Sequence, residues 1–274
     1  MQTVITPTDP ALTLALTRMR NALDGLLSTR AVTMPLPSKM PLAVELGDKL
    51  EPVLKDIYWH PLRNGINEAP EDDDDLRAWL HRQLSGAAVW AALLALLIRY
   101  YRRTVNYGGE IALDVLGLSG TFSLTNAEYL AQLDERATML TSANGDINLI
   151  DQTVSDLSVA IPTARNSDDD TLAVLGGYIA GRALTRGVGI ATYEAPWGFN
   201  RGLGMTYREN KIKQLMYDLN GAGCPEICAP LHGRTFPADN VPDGLFVPQH
   251  PNCDCIHRPL TDNWTRPDEI WRGE

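Results

Sequence analysis

The residues best equipped for chemistry are four cysteines, all lying between Cys224 and Cys255 of a 274-residue chain. Cys224 and Cys228 form a Cys-x-x-x-Cys pair and Cys253 and Cys255 a Cys-x-Cys pair, with His232 and His250 between them and His257 just beyond. Two close pairs joined by a short hairpin-like segment can bring four soft ligands to one tetrahedral ion, and zinc is the ion such a set selects. The expected metal ligands are Cys224, Cys228, Cys253 and Cys255, with His232 and His250 as substitutes. Packed, buried thiols and a redox or disulfide pair are the competing readings. A clustered set is not how a disulfide framework is spread through a secreted protein. A thiolate nucleophile would need an orienting third group and an oxyanion site. Neither is recognisable, so no catalytic residue is assigned and no enzyme is expected.

A second group of interest is Arg99, Tyr100, Tyr101, Arg102 and Arg103, which mixes cations with aromatic rings. Arg99, Arg102 and Arg103 could contact phosphates beside a stacked base, although cations in a last helical turn equally complement the helix dipole. The run Glu71 to Asp75 lacks the alternating ligands and glycine turn of a calcium loop. It reads as the solvated start of a helix.

The elements that must position these residues are mostly helical. Apolar spacing predicts helices over about Pro10 to Ser28, Val44 to Trp59 and Leu76 to Asn106, the last with a centre, Ala87 to Ile98, apolar nearly all round and expected to be enclosed by other helices. Gly108, Gly109, Gly117 and Gly120 are expected to break the pattern, with Thr125 or Asn126 capping a helix over Ala127 to Leu140. Further helices are expected over Asp146 to Ala164, Leu172 to Leu184 and Arg186 to Asn210, with Pro196 interrupting the last. Lys211 to Leu219 has strand composition and leads into a turn-rich stretch. The fold class is therefore α+β: a mostly α-helical body with a small C-terminal β-containing Cys/His-rich unit. Residues 1–70 read as an N-terminal helix and proline-bearing arm, 71–210 as the helical body, 211–260 as the cysteine unit and 261–274 as a tail carrying Trp264 and Trp271.

Composition narrows the function classes. Thirty-four acidic against 24 basic residues give a net charge of −10, which disfavours a surface devoted to neutralising phosphate or anionic lipid. The uncharged apolar stretch Leu84 to Ile98 is 15 residues, short of the roughly 20 needed to span a bilayer, so no membrane partner is expected. Met1 to Pro10 has no basic region followed by an apolar one, so folding in a reducing cytosol is expected.

The segment Cys224 to Phe236, followed by His250, Pro251, Asn252, Cys253, Asp254 and Cys255, resembles the C-terminal signature of the phage minor head protein family, typified by phage Mu F. That family shows a Cys-Pro-x-Cys group, a Leu-x-Gly turn and a closing His-Pro-Asn-Cys-Arg-Cys; here the first pair is one residue wider and Asp254 stands in place of the arginine. Arg186, Ile190, Ala191, Thr192, Glu194, Phe199, Asn200, Tyr207 and Arg208 are similar to the family's preceding helix, and the match spans about Thr104 to Arg258. The resemblance implies a virion protein of a tailed bacteriophage, assembled in the host cytoplasm and attached to the portal protein or, beside the major capsid protein, to the inner face of the head. Its expected roles are head morphogenesis, DNA packaging or ejection. The alternative is a nucleic-acid-binding zinc module contacting packaged DNA.

Overall fold

The computed structural model describes residues 34–141, 148–220, 224 and 226–261. The helix expected over Pro10 to Ser28 and the tail with Trp264 and Trp271 lie outside the described residues. Among the described residues six α-helices, α1 (Pro41–Gly65), α2 (Asp73–Leu84), α3 (Ala87–Val115), α4 (Ala127–Thr141), α5 (Leu149–Arg165) and α6 (Thr171–Glu209), precede three short strands, β1 (Gln214–Asp218), β2 (Thr235–Pro237) and β3 (Ile256–Pro259). The strands form one antiparallel sheet in the order β2-β1-β3, with Leu215 opposite both Phe236 and Pro259. The architecture is the mostly helical α+β fold with a small C-terminal sheet. Among the described residues no single helix is long and apolar enough to cross a membrane.

Helix starts follow side-chain chemistry. Asp72 Oδ1 accepts from the Asp74 and Asp75 N–H groups at the head of α2, Asn126 from Glu128 before α4, and Asp170 from Leu172 at the head of α6. Each satisfies backbone donors that a first turn leaves open. The acidic run from Glu71 is thus a helix start.

Several boundaries differ from the sequence expectation. The segment expected as one helix from Leu76 to Asn106 is two, α2 and α3, parted at Ser85 and Gly86; the Trp90 indole N–H donates to the open Leu84 carbonyl at 2.7 Å, which stabilises the break. The apolar centre of α3 is not enclosed on all sides. Trp90, Leu93 and Leu97 face inward whereas Ala88, Ala91, Ala92 and Ala95 are exposed, so the helix is amphipathic by side-chain size rather than by polarity. Helix α1 runs past His60 and Pro61 to Gly65, its last turn held by buried Leu62.

Gly108 and Gly109 do not break α3. They lie where α3 meets α6: a Cβ on Gly108 would overlap the Phe199 carbonyl, one on Gly202 the Val105 carbonyl and one on Gly198 the Thr104 hydroxyl. The two helices touch backbone to backbone there, which only glycine permits. The two helices expected between Leu172 and Asn210 are one, α6, 39 residues long, and it continues through Pro196.

Helix α6 spans two cores. Its N-terminal half joins α1 to α5 in a core containing Leu50, Leu54, Leu80, Leu97, Leu157 and Ile179, while Phe199, Leu203 and Tyr207 join Leu215, Tyr217, Phe236 and three cysteines in a second. Asp156 of α5 ties the first core together, accepting from the Tyr58 hydroxyl of α1 (2.5 Å) and from Arg182 and Arg186 of α6 (2.5 and 2.8 Å). Part of the proline-bearing arm reaches the cysteine unit: Met34 and Met40 are buried in the second core, and the Ser38 N–H donates to Asp254 Oδ1 at 2.8 Å. Asp254 therefore receives a backbone donor of the arm.

Candidate metal centre

The cysteines are brought together by local turns on either side of β1. Cys224 opens a turn in which the Cys228 and Ala229 N–H groups both donate to its carbonyl at 3.0 Å. This swings Cys228 inward at the head of the short 3-10 turn Ala229–Leu231. The chain then returns into β2 through Gly233, whose φ of +78° is a left-handed value suited to glycine.

The second pair depends on a tight turn. The Cys253 N–H donates to the His250 carbonyl at 3.1 Å, with Pro251 and Asn252 at the centre and Asn252 at a φ of +61°. Proline followed by an asparagine in the left-handed region is the chemistry of a type II turn. The chain beyond runs extended into β3, where alternate residues share a face, so Cys253 and Cys255 present their thiols together.

The outcome is that Cys228, Cys253 and Cys255, all buried, lie close enough to bind a metal ion, their sulfur atoms within 4.8 Å of one another. Cys228 Sγ and Cys253 Sγ are 3.9 Å apart. Two sulfurs of a tetrahedral site with bonds of about 2.3 Å are separated by about 3.8 Å, so this spacing fits a shared ion. All four cysteines are free thiols.

Two further groups border the trio without belonging to it, His250 beside Cys228 and Tyr217 beside Cys255 and Cys228. His250 Nε2 lies 3.1 Å from Cys228 Sγ, while its Nδ1 is 2.8 Å from the Pro251 carbonyl. A carbonyl only accepts, so Nδ1 carries the proton and Nε2 presents a lone pair, the tautomer a metal-binding imidazole uses. The Tyr217 hydroxyl, buried without a hydrogen-bond partner of ordinary length, faces the Cys255 and Cys228 thiols. An orphaned buried donor beside sulfur fits a site whose sulfurs are thiolates, which accept where thiols donate.

The electrostatics are uneven across the trio. The hydrogen bond between Cys255 and Cys253 holds the Cys253 thiol below its ordinary range, helped by backbone hydrogen bonds from Gln249 and Cys255. The same bond, with burial, pushes Cys255 up, and burial pushes Cys228 up. One proton is thus easily lost and two are held, as expected of thiols crowded together without a cation.

The other sequence candidates lie elsewhere. Cys224 is partly exposed and outside the group of three. His232 turns toward the end of β1, where its Nδ1 accepts from the Leu219 N–H (3.4 Å) and sits 3.6 Å from Asp218 Oδ1. His257 is buried, its Nε2 2.8 Å from the Leu245 carbonyl, and burial lowers its pKa to about 4. Arg103 forms a two-pronged pair with Glu45 of α1 at 2.8 and 2.9 Å, and Arg99, Arg102 and Arg103 are all exposed.

Two contributors were not assigned from sequence as parts of the site. Tyr217 carried no signal beyond a strand-like run. Asn200 stands out in the sequence only as a motif residue, yet its amide donates to the Cys255 carbonyl (3.2 Å) and accepts from the His257 N–H (3.4 Å), fixing the entry to β3 against α6. No protein-family model, curated protein or solved structure matches the chain.

Proposed function

We propose that this chain is a minor head protein of a tailed bacteriophage, a non-enzymatic assembly protein attached to the portal or the inner capsid surface, whose C-terminal unit is stapled by one zinc ion. Cys228, Cys253 and Cys255 would hold the ion, with His250 as the fourth ligand. Bound there, zinc would supply a fixed crosslink between the two turns and the start of β3 rather than an activated water. Their own contribution is to bury the thiolates and set the imidazole tautomer.

The observation that carries this reading is the meeting of the two parts of the motif. Thr192 and Asn200, from the helix portion, hold the backbone of Asn252, Cys255 and His257 in or beside the closing hexapeptide. That the residues carrying the resemblance meet in space supports the reading.

Co-sedimentation of the purified full chain with its portal and with the major capsid protein tests the reading. Binding to either, reduced in Cys253→Ser, is the expected result. Failure to bind both overturns it, and steeply salt-dependent DNA binding instead would favour the nucleic-acid module.

A further inference from the structure

A half-open pocket of about 150 Å³ lies between α4, α6 and the loop before His250, lined by Arg136, Tyr193, Trp197, Arg201, Phe246 and Pro248 among others. Its two arginines are in opposite states. Arg136 is neutralised, pairing with buried Glu194 through both Nε (3.1 Å) and Nη2 (2.8 Å), and Glu194 also accepts from the Tyr101 hydroxyl (2.7 Å). Arg201 has no such partner. Among the described residues no carboxylate lies within ion-pair distance of it; its Nη2 donates to the neutral Gln132 Oε1 at 2.8 Å, and its Nε is buried with no hydrogen-bond partner.

A largely buried guanidinium with an open donor is costly unless something meets it. Burial and the neighbouring Arg208 both act against its charge, in a chain that carries an excess of acids elsewhere. Trp197 keeps the cation in place: the Arg136 and Arg201 guanidinium carbons lie 5.6 and 5.8 Å from its ring centre. The tryptophan is thereby a spacer between two cations. The free aromatic at the pocket is Phe246, 49% exposed, on the loop wall with Val247 and Pro248.

We propose that this pocket binds a small ligand made of one oxyanion group, phosphate or carboxylate, attached to a planar apolar group. The oxyanion supplies the counter-charge that Arg201 lacks, reached through the guanidinium where it lines the pocket rather than through the sealed Nε. The apolar part rests on Phe246 and Pro248. An apolar cavity of about 150 Å³ accepts benzene, so the pocket has the size of a single ring, and its open side leaves room for the attached oxyanion. Because the wall formed by residues 246–248 leads directly to His250, the pocket borders the cysteine unit without sharing its ligands.

Calorimetric titration of the full chain with phenyl phosphate, benzoate and inorganic phosphate tests this. Saturable binding of phenyl phosphate or benzoate, tighter than inorganic phosphate, is expected, and the stronger of the two names the oxyanion. Arg201→Met should weaken it by at least about tenfold while melting no lower than the wild type, because an uncompensated buried charge has gone. Phe246→Ala, at an exposed position that leaves the fold intact, should reduce the aromatic ligand to the level of inorganic phosphate. No saturable binding of either aromatic probe overturns the proposal, as does binding that either substitution leaves unchanged.

Discussion

The Thr192 carbonyl accepts a hydrogen bond from the Asn252 N–H at 3.2 Å, and it is free to do so because Pro196 stands four residues further along α6. A proline has no N–H to return to the carbonyl one turn behind it. The residue expected to interrupt the helix instead creates the acceptor on which the Pro251-Asn252 turn docks. Pro196→Ala is predicted to raise overall stability by up to about 3 kcal/mol, the helix-interior cost of proline. It should also quicken hydrogen exchange at Asn252 and Cys253, since the restored N–H competes for Thr192. Unchanged exchange across residues 250–255 would contradict this.

Glycines in α6 separate close approach from ordinary helix propensity. Gly202→Ala should destabilise by about 1–3 kcal/mol or more, because its Cβ would meet the Val105 carbonyl of α3. Gly204 has nothing within 4 Å of a built Cβ, so Gly204→Ala should stabilise by about 1 kcal/mol. Denaturant midpoints of the two variants should move in opposite directions.

Glu194, 1% exposed, is the acid that neutralises Arg136. Glu194→Gln leaves a largely buried guanidinium unpaired and is predicted to cost about 3 kcal/mol. Adding Arg136→Met should recover part of that loss. A double-mutant cycle by chemical denaturation measures it, and strictly additive effects would contradict the pairing.

Arg103 and Tyr100 hold the Glu45 carboxyl down from 4.5 to about 2. A carboxyl lowered in the folded state binds its proton more readily when unfolded, so its contribution is complete above about pH 4.5 and is lost as pH falls toward 2. Glu45→Gln should therefore melt below wild type at neutral pH, with the gap narrowing through that window. A gap that persists at pH 2 would contradict the assignment.

Local chemistry was legible from sequence; close contact was not. Asp72, Asn126 and Asp170 cap helices where their types and positions indicate, β1 falls inside the strand-like run from Lys211, and the clustered cysteines lie in one small unit. Propensity is a local quantity and marks Gly108 and Gly109 as breakers, whereas a Cβ on Gly108 would meet Phe199 of a helix about 90 residues later and one on Gly109 the Phe122 ring. Tyr217 and Arg201 gave no warning for a similar reason: what marks each is a missing partner, and a missing partner exists only once the chain is folded.

Elemental analysis of the purified chain decides whether Cys228, Cys253 and Cys255, with His250, hold one zinc ion. About one zinc per chain is expected, lost in Cys253→Ser together with protease resistance of residues 224–260, while the helical body stays folded. A zinc-free chain whose thermal melt is unchanged by a strong chelator would contradict it, and the three thiols would then be packed in the core as such.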